Sequence, residues 1–127
     1  RREIEAATPG LLAAVSGFLA VALGAFAAHG LQGRLGAKEL DWIDTGLRYQ
    51  MFHALALLAV ALLSREGGST ALQVAGWGFT IGTLIFCGLL YTMALGGPRL
   101  LGAVVPLGGL AFLGGWLALA WYALRLR

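Results

Sequence analysis

The chain has 127 residues, 59% of them apolar and only 12% charged, with a formal net charge of +3. Soluble domains run about 45–50% apolar and about 25% charged, so this composition excludes a water-covered globule. No basic run exceeds Arg1-Arg2 and no basic–aromatic stripe occurs, which excludes a nucleic-acid partner; the lone Cys87 excludes an internal disulfide.

The uncharged intervals give the elements. No Asp, Glu, Lys or Arg lies between Glu5 and Arg34, between Arg48 and Arg65, between Glu66 and Arg99, or between Arg99 and Arg125. A helix of about 20 apolar residues crosses a hydrocarbon core of about 30 Å. The expected fold is therefore an all-α membrane protein. It is a four-transmembrane-helix bundle forming a single domain over residues 1–127, with spans at about 9–30, 45–64, 70–96 and 100–124.

Thr8-Pro9 reads as the start of the first span, an N-cap residue followed by Pro at the first helical position, and Gly30 as its close. Arg1-Arg2 ahead of an apolar run that reaches Ala25-Phe26-Ala27 has the outline of a signal peptide. The run is longer than the 7–15 or so residues typical of one, so a retained span is expected. Residues 31–44 form the one sizeable connection, in which Ala37 to Asp44 are expected to make a short amphipathic helix at the membrane surface.

The second uncharged interval, Tyr49 to Ser64, is only 16 residues long. Leu40, Ile43 and Leu47 recur at helical spacing ahead of it and carry its helix further upstream. Arg48 then falls just inside the membrane boundary with its stem snorkelling outward, and Asp44 is its ion-pair partner one turn earlier. Gly67-Gly68 separates the second span from the third, and Gly96-Gly97-Pro98 is the turn before the fourth. Pro106-Leu107-Gly108-Gly109 is the one candidate helix break.

Four spans place both termini and the Arg65 loop on one side, with Arg1, Arg2, Arg65, Arg125 and Arg127; Arg34, Lys38, Arg48 and Arg99 lie on the other. That bias favours cytoplasmic termini. Lipid is as apolar as Leu, so helix association rests on close approach through small residues. Seams of this kind run along the first span (Ala13, Gly17, Ala20, Gly24, Ala28), the third (Ala71, Ala75, Gly78, Gly82) and the fourth (Gly108, Ala111, Gly115, Ala118).

The stretch from Leu23 through His29-Gly30-Leu31 resembles the opening signature of the YgdD-like small inner-membrane proteins. These form domain-of-unknown-function family 423, which has eukaryotic transmembrane-protein-256-like relatives. The similarity continues at Trp42-Ile43-Asp44-Thr45-Gly46, Tyr49-Gln50 and His53, at Leu84 to Tyr91, at Pro106-Leu107-Gly108-Gly109 and at Gly115-Trp116. Two departures stand in the pattern: Ala27 replaces the family's usual Gly, and Cys87 and Leu89 occupy places where the family often has Ser. Arg48 falls at a variable position. The resemblance implies a four-helix protein of the bacterial inner membrane and supplies no activity.

The residues able to carry chemistry are His29 at the end of the first span, His53 with Tyr49 and Gln50 one turn before it, and Tyr91 at the end of the third. They are expected to form one polar cluster on one membrane side. Two readings of different class stay open. In one, the histidines are hydrogen-bonded helix ties in a structural or accessory membrane subunit, whose partners are the lipid bilayer and either its own copies or a larger complex. In the other, His29 and His53 serve a proton, a small solute or a cofactor such as haem. No third ligand or attachment motif supports a metal or haem, so no metal and no cofactor are expected. No catalytic activity is expected either. Glu39, Asp41 and Asp44 share a surface segment, and Ser16, Ser64 and Ser69 lack a nucleophile motif. Cys87 lies in mid-membrane, where a thiol is inert, and the Gly pairs precede no Lys-Ser or Lys-Thr.

Overall fold

The computed structural model describes the backbone of residues 2–126 and the side chains of residues 5–126. Among these residues, four helical segments are long and apolar enough to cross a membrane: Glu5–Leu31, Ala37–Ser64, Thr70–Ala94 and Arg99–Arg125. The first span packs along the second and the third along the fourth. The two hairpins so formed meet where the second span lies against the third.

Helix ends depart from the sequence expectations for local reasons. The first helix begins at Arg2 and runs through Pro9, so Thr8 is not its cap. Pro9 has no N–H to give to the preceding turn, and it is tolerated because it stands near the end of the span. The helix also runs past Gly30, through a π turn over Ala27–Leu31, before Gln32 turns extended and Gly33 takes φ 85°. Gly30 serves a neighbour instead: a Cβ there would lie 2.8 Å from the Phe26 ring.

No separate surface helix precedes the second span. Ala37–Ser64 is one helix of 28 residues. Asp44 and Arg48 pair at 2.9 Å along its exposed side, and Ile43 is buried at 2% exposure, so the segment continues as helix rather than turning onto the surface. Ser69 caps the third span through a 3.1 Å bond from the Leu72 N–H. A π turn over Thr83–Cys87 interrupts that span, which then ends in a Schellman arrangement. There Gly97 N–H donates to the Thr92 carbonyl at 2.8 Å, Gly96 N–H donates to Met93 at 3.2 Å, and Gly96 has φ 111°. The fourth span opens with a 3₁₀ turn over Arg99–Ala103. Pro106 then stands in the first turn of the Val105–Arg125 helix and starts it rather than breaking it.

Small residues set the hairpin contacts, though not everywhere the pattern suggests. Between the third and fourth spans, a Cβ on Gly78 would come within 2.9 Å of the Ala111 carbonyl oxygen, and one on Gly115 within 2.7 Å of Phe79. A Cβ on Gly82 would strike Phe112, and one on Gly108 would strike the Phe86 backbone. The first span differs. A Cβ on Gly17 would meet nothing within 4 Å, and one on Gly24 would meet only Leu47 Cδ1 at 3.8 Å. Its buried line is Ala13, Ala20 and Ala27, one residue every seven, the spacing that keeps a seam facing one neighbouring helix.

The apolar core gathers Leu57 and Val60 of the second span, Leu72, Ala75, Phe79 and Cys87 of the third, and Phe112 of the fourth. Leu11, Phe18, Leu62, Leu84, Leu110 and Leu117 face outward, as lipid-facing side chains must. Arg1 and Arg127 and the side chain of Arg2, which enter the charge count for orientation, lie outside the described residues.

Candidate functional site

A polar layer crosses the interior of the bundle, and three of its side chains come from one face of the second helix. Tyr49, Gln50 and His53 follow one another at helical spacing, and Gln50 and His53 are buried at 6% and 5% exposure. Buried polar groups in a membrane interior must find partners, since neither water nor lipid supplies any. Each of these two finds partners on other spans.

Gln50 ties three spans together. Its Nε2 donates to the Ser16 carbonyl of the first span at 2.8 Å, and its Oε1 accepts from the Tyr91 hydroxyl of the third at 2.7 Å. Gly46 makes the second bond reachable. It lies one turn before Gln50 on the same face, and the Tyr91 ring rests directly on it: a Cβ there would stand 2.5 Å from Tyr91 Cε1. Ser16 Oγ is buried and has no hydrogen-bond partner among the described residues.

His53 ties the second span to the fourth. Its Nδ1 lies 2.7 Å from the Tyr49 carbonyl oxygen, and its Nε2 lies 3.0 Å from Trp116 Nε1. A carbonyl only accepts and an indole N–H only donates, so this network assigns the hydrogen to Nδ1 and the lone pair to Nε2. Both ring nitrogens are thereby occupied in a neutral imidazole. The ring is held flat against Phe112, centroids 3.7 Å apart at 13°, with Phe79 at 5.4 Å closing another side. Tyr49 packs its ring against Phe86 at 4.7 Å and remains 39% exposed.

His29 stands apart from this layer. It lies in the π turn at the far end of the first span, exposed, while His53 sits near the middle of the second helix. At 1.5 Å per residue the two are on the order of 15 Å apart along the bundle axis. The layer therefore joins Tyr49, Gln50, His53 and Tyr91 and leaves out His29. Sequence reasoning missed Gly46, Phe112 and Trp116 as members. Trp116 carried a signal: an indole far from the membrane interface, where tryptophans concentrate, needs an acceptor for its N–H.

The membrane surface at the His29 end holds a second group. Trp42 has Lys38 Nζ at 5.5 Å and Arg99 Cζ at 5.6 Å from its ring centroid, and Arg99 reaches Glu39 at 3.6 Å. Trp42 also packs against a small core of Ala27, Leu31, Ile43 and Ala94, so this group fastens the ends of the first three spans. Among the described residues, no three His, Cys, Asp or Glu side chains gather closely enough to hold a metal ion.

Four long apolar helices around an interior polar layer define a small polytopic membrane protein. The chain belongs to the DUF423 family of proteins of unknown function, whose model matches residues 23–109. It is 51% identical to a UPF0382 membrane protein of Haemophilus influenzae over 87% of this chain and 88% of that one. It is 44% identical to the UPF0382 inner membrane protein YgdD of Escherichia coli over 92% and 89% of the two chains. Identity to the UPF0382 membrane protein YwdK of Bacillus subtilis is 40%, over 91% and 94%. No solved structure matches. The chain is accordingly a membrane protein in contact with the lipid bilayer, and its relationship to YgdD, an inner membrane protein, places it in the bacterial inner membrane.

Proposed function

We propose that this chain is a structural or accessory subunit of the inner membrane, acting through its surfaces on a larger complex or on copies of itself, and not an enzyme. The observation that carries this reading is the state of the polar layer. Both nitrogens of His53 and both ends of Gln50 are engaged in hydrogen bonds, and all but the His53 Nδ1 bond to the Tyr49 carbonyl, which lies within the second helix, run between helices. A proton carrier or axial ligand needs a lone pair to offer, and the one on His53 Nε2 already faces the Trp116 N–H. With His29 at a different depth, the two imidazoles do not form a pair.

The test is purification in mild detergent, followed by an absorption spectrum, metal analysis and native mass on one sample. The expected result is a colourless, metal-free protein whose mass exceeds that of a single chain. Stoichiometric haem or metal, lost in a folded His29→Ala/His53→Ala double variant, would overturn the proposal. As part of the same reading, both termini and the Gly67-Gly68 loop face the cytoplasm. Reporter fusions at Arg127 and at Gly97 should then score on opposite sides; the reverse assignment would refute this orientation.

A further inference from the structure

At the membrane surface opposite His29, a crevice of about 300 Å³ opens between the first and third spans. These two spans barely touch, and the floor between them is formed by Val60 and Ser64 of the second. The lining changes character with depth. Glu5, Thr8, Ser64 and Ser69 surround the outer end, and Leu12, Val60, Leu72 and Trp77 the inner end. Gln73 stands between them, and it and Thr8 have side chains that make no hydrogen bond within the described residues.

We infer that this crevice is a binding site for one membrane phospholipid, which lays a segment of acyl chain along the inner end and its polar headgroup linkage against Thr8, Ser69 and Gln73. Three considerations select that occupant. Water does not fill the inner end, because an ordered water needs two to four polar partners and the side chains there are apolar, save for the Trp77 indole. A partner helix does not enter, because one turn of a helix, about 5.4 Å long and about 10–12 Å across with its side chains, already takes up more than the 300 Å³ or so available. At roughly 30 Å³ for each water-sized group, the crevice holds on the order of ten such groups, a length of acyl chain with its ester rather than a whole lipid. The order of polarity along the crevice, outer end polar and inner end apolar, is that of a phospholipid in a leaflet, so the ligand enters sideways without inverting. The inference does not depend on the accessory role proposed above.

The experiment is native mass spectrometry of the full chain released from mild detergent, with the bound molecule identified by fragmentation. Gly76→Leu is the filling variant. Gly76 lines the crevice, and a Cβ on it meets only Val60 Cγ1 at an ordinary 3.6 Å, so the added side chain occupies the ligand's space rather than a helix contact. Gly109→Leu is the control, since nothing lies within 4 Å of a Cβ there. Wild type and Gly109→Leu should each retain one phospholipid per chain, and Gly76→Leu should lower that fraction about tenfold, the effect of about 1.4 kcal/mol of lost binding. If Gly76→Leu does not fold, a Thr8→Val/Gln73→Leu double variant, which removes only the polar outer contacts, should lower retention in the same direction. Equal retention in the filling variant and the control, or in the double variant and wild type, would overturn the proposal. So would detergent, or no molecule at all, in place of a phospholipid.

Discussion

Trp116 is a partly exposed residue whose single polar atom lies 3.0 Å from the buried nitrogen of another span. Trp116→Phe keeps most of the ring and removes the donor, leaving His53 Nε2 without its partner. Hydrogen bonds between membrane helices average about 0.6 kcal/mol and reach about 1.7, because the unfolded chain in lipid finds partners too. Trp116→Phe should therefore cost about 0.5–2 kcal/mol in a denaturant titration of the detergent-solubilised protein. Tyr91→Phe, which deletes the 2.7 Å bond to Gln50, should cost a similar amount. In a double-mutant cycle, Gln50→Leu and Tyr91→Phe should be non-additive by about 0.5–1.5 kcal/mol. Additive losses would mean that the two residues act separately. At this scale the sequence is legible along the second helix and at Tyr91 of the third span. Tyr49, Gln50 and His53 announce themselves by spacing, whereas Trp116 and Gly46 join them through contacts between spans that no local pattern encodes.

Neighbouring glycines have opposite roles on a single element. A Cβ on Gly108 would strike the Phe86 backbone, and one on Gly109 would meet nothing within 4 Å. Gly108→Ala should cost about 1–3 kcal/mol through overpacking. Gly109→Ala should be neutral or gain up to about 1 kcal/mol, the helical preference of Ala over Gly. Thermal unfolding of the two variants side by side is the measurement, and equal loss in both would show that the fourth span packs by another face. The seams of the third and fourth spans include Gly78, Gly82, Gly108 and Gly115, at each of which a Cβ would be crowded by the facing helix. On the first span the seam of Ala13, Gly17, Ala20, Gly24 and Ala28 divides: Ala13 and Ala20 are buried, whereas Gly17 and Gly24 leave room for a Cβ. Periodicity places several small residues on one broad face, and only the neighbouring helix decides which line within that face touches it. The second helix is misread only at its start. Asp44 pairs with Arg48 one turn later at 2.9 Å, as their spacing predicts, but Ala37 to Asp44 continue the span as one helix instead of forming a separate helix at the surface.

For the molecule as a whole, the charge-free intervals make four spans legible, because burying a charge in hydrocarbon is costly enough to mark the sequence itself. How the two hairpins dock is not marked in this way. Apolar packing against a neighbour differs little from packing against lipid, so the polar layer is what distinguishes the docked state. Gln50 reaches Tyr91 and His53 reaches Trp116, and each bond passes from the first hairpin to the second. A chain divided between Gly67 and Gly68 should therefore reassemble when its halves are expressed together. An affinity tag on one half should recover the other. Replacing Gln50 and His53 together with Leu should lower that recovery about ten- to thirtyfold, as loss of roughly 1.4–2 kcal/mol of docking energy requires. Each hairpin should still insert, since neither residue is needed for the span to be apolar enough. Unchanged recovery in the double variant would show that Leu57, Val60, Leu72 and Phe79 join the hairpins by packing alone, and that the polar layer only orients what the apolar core already holds.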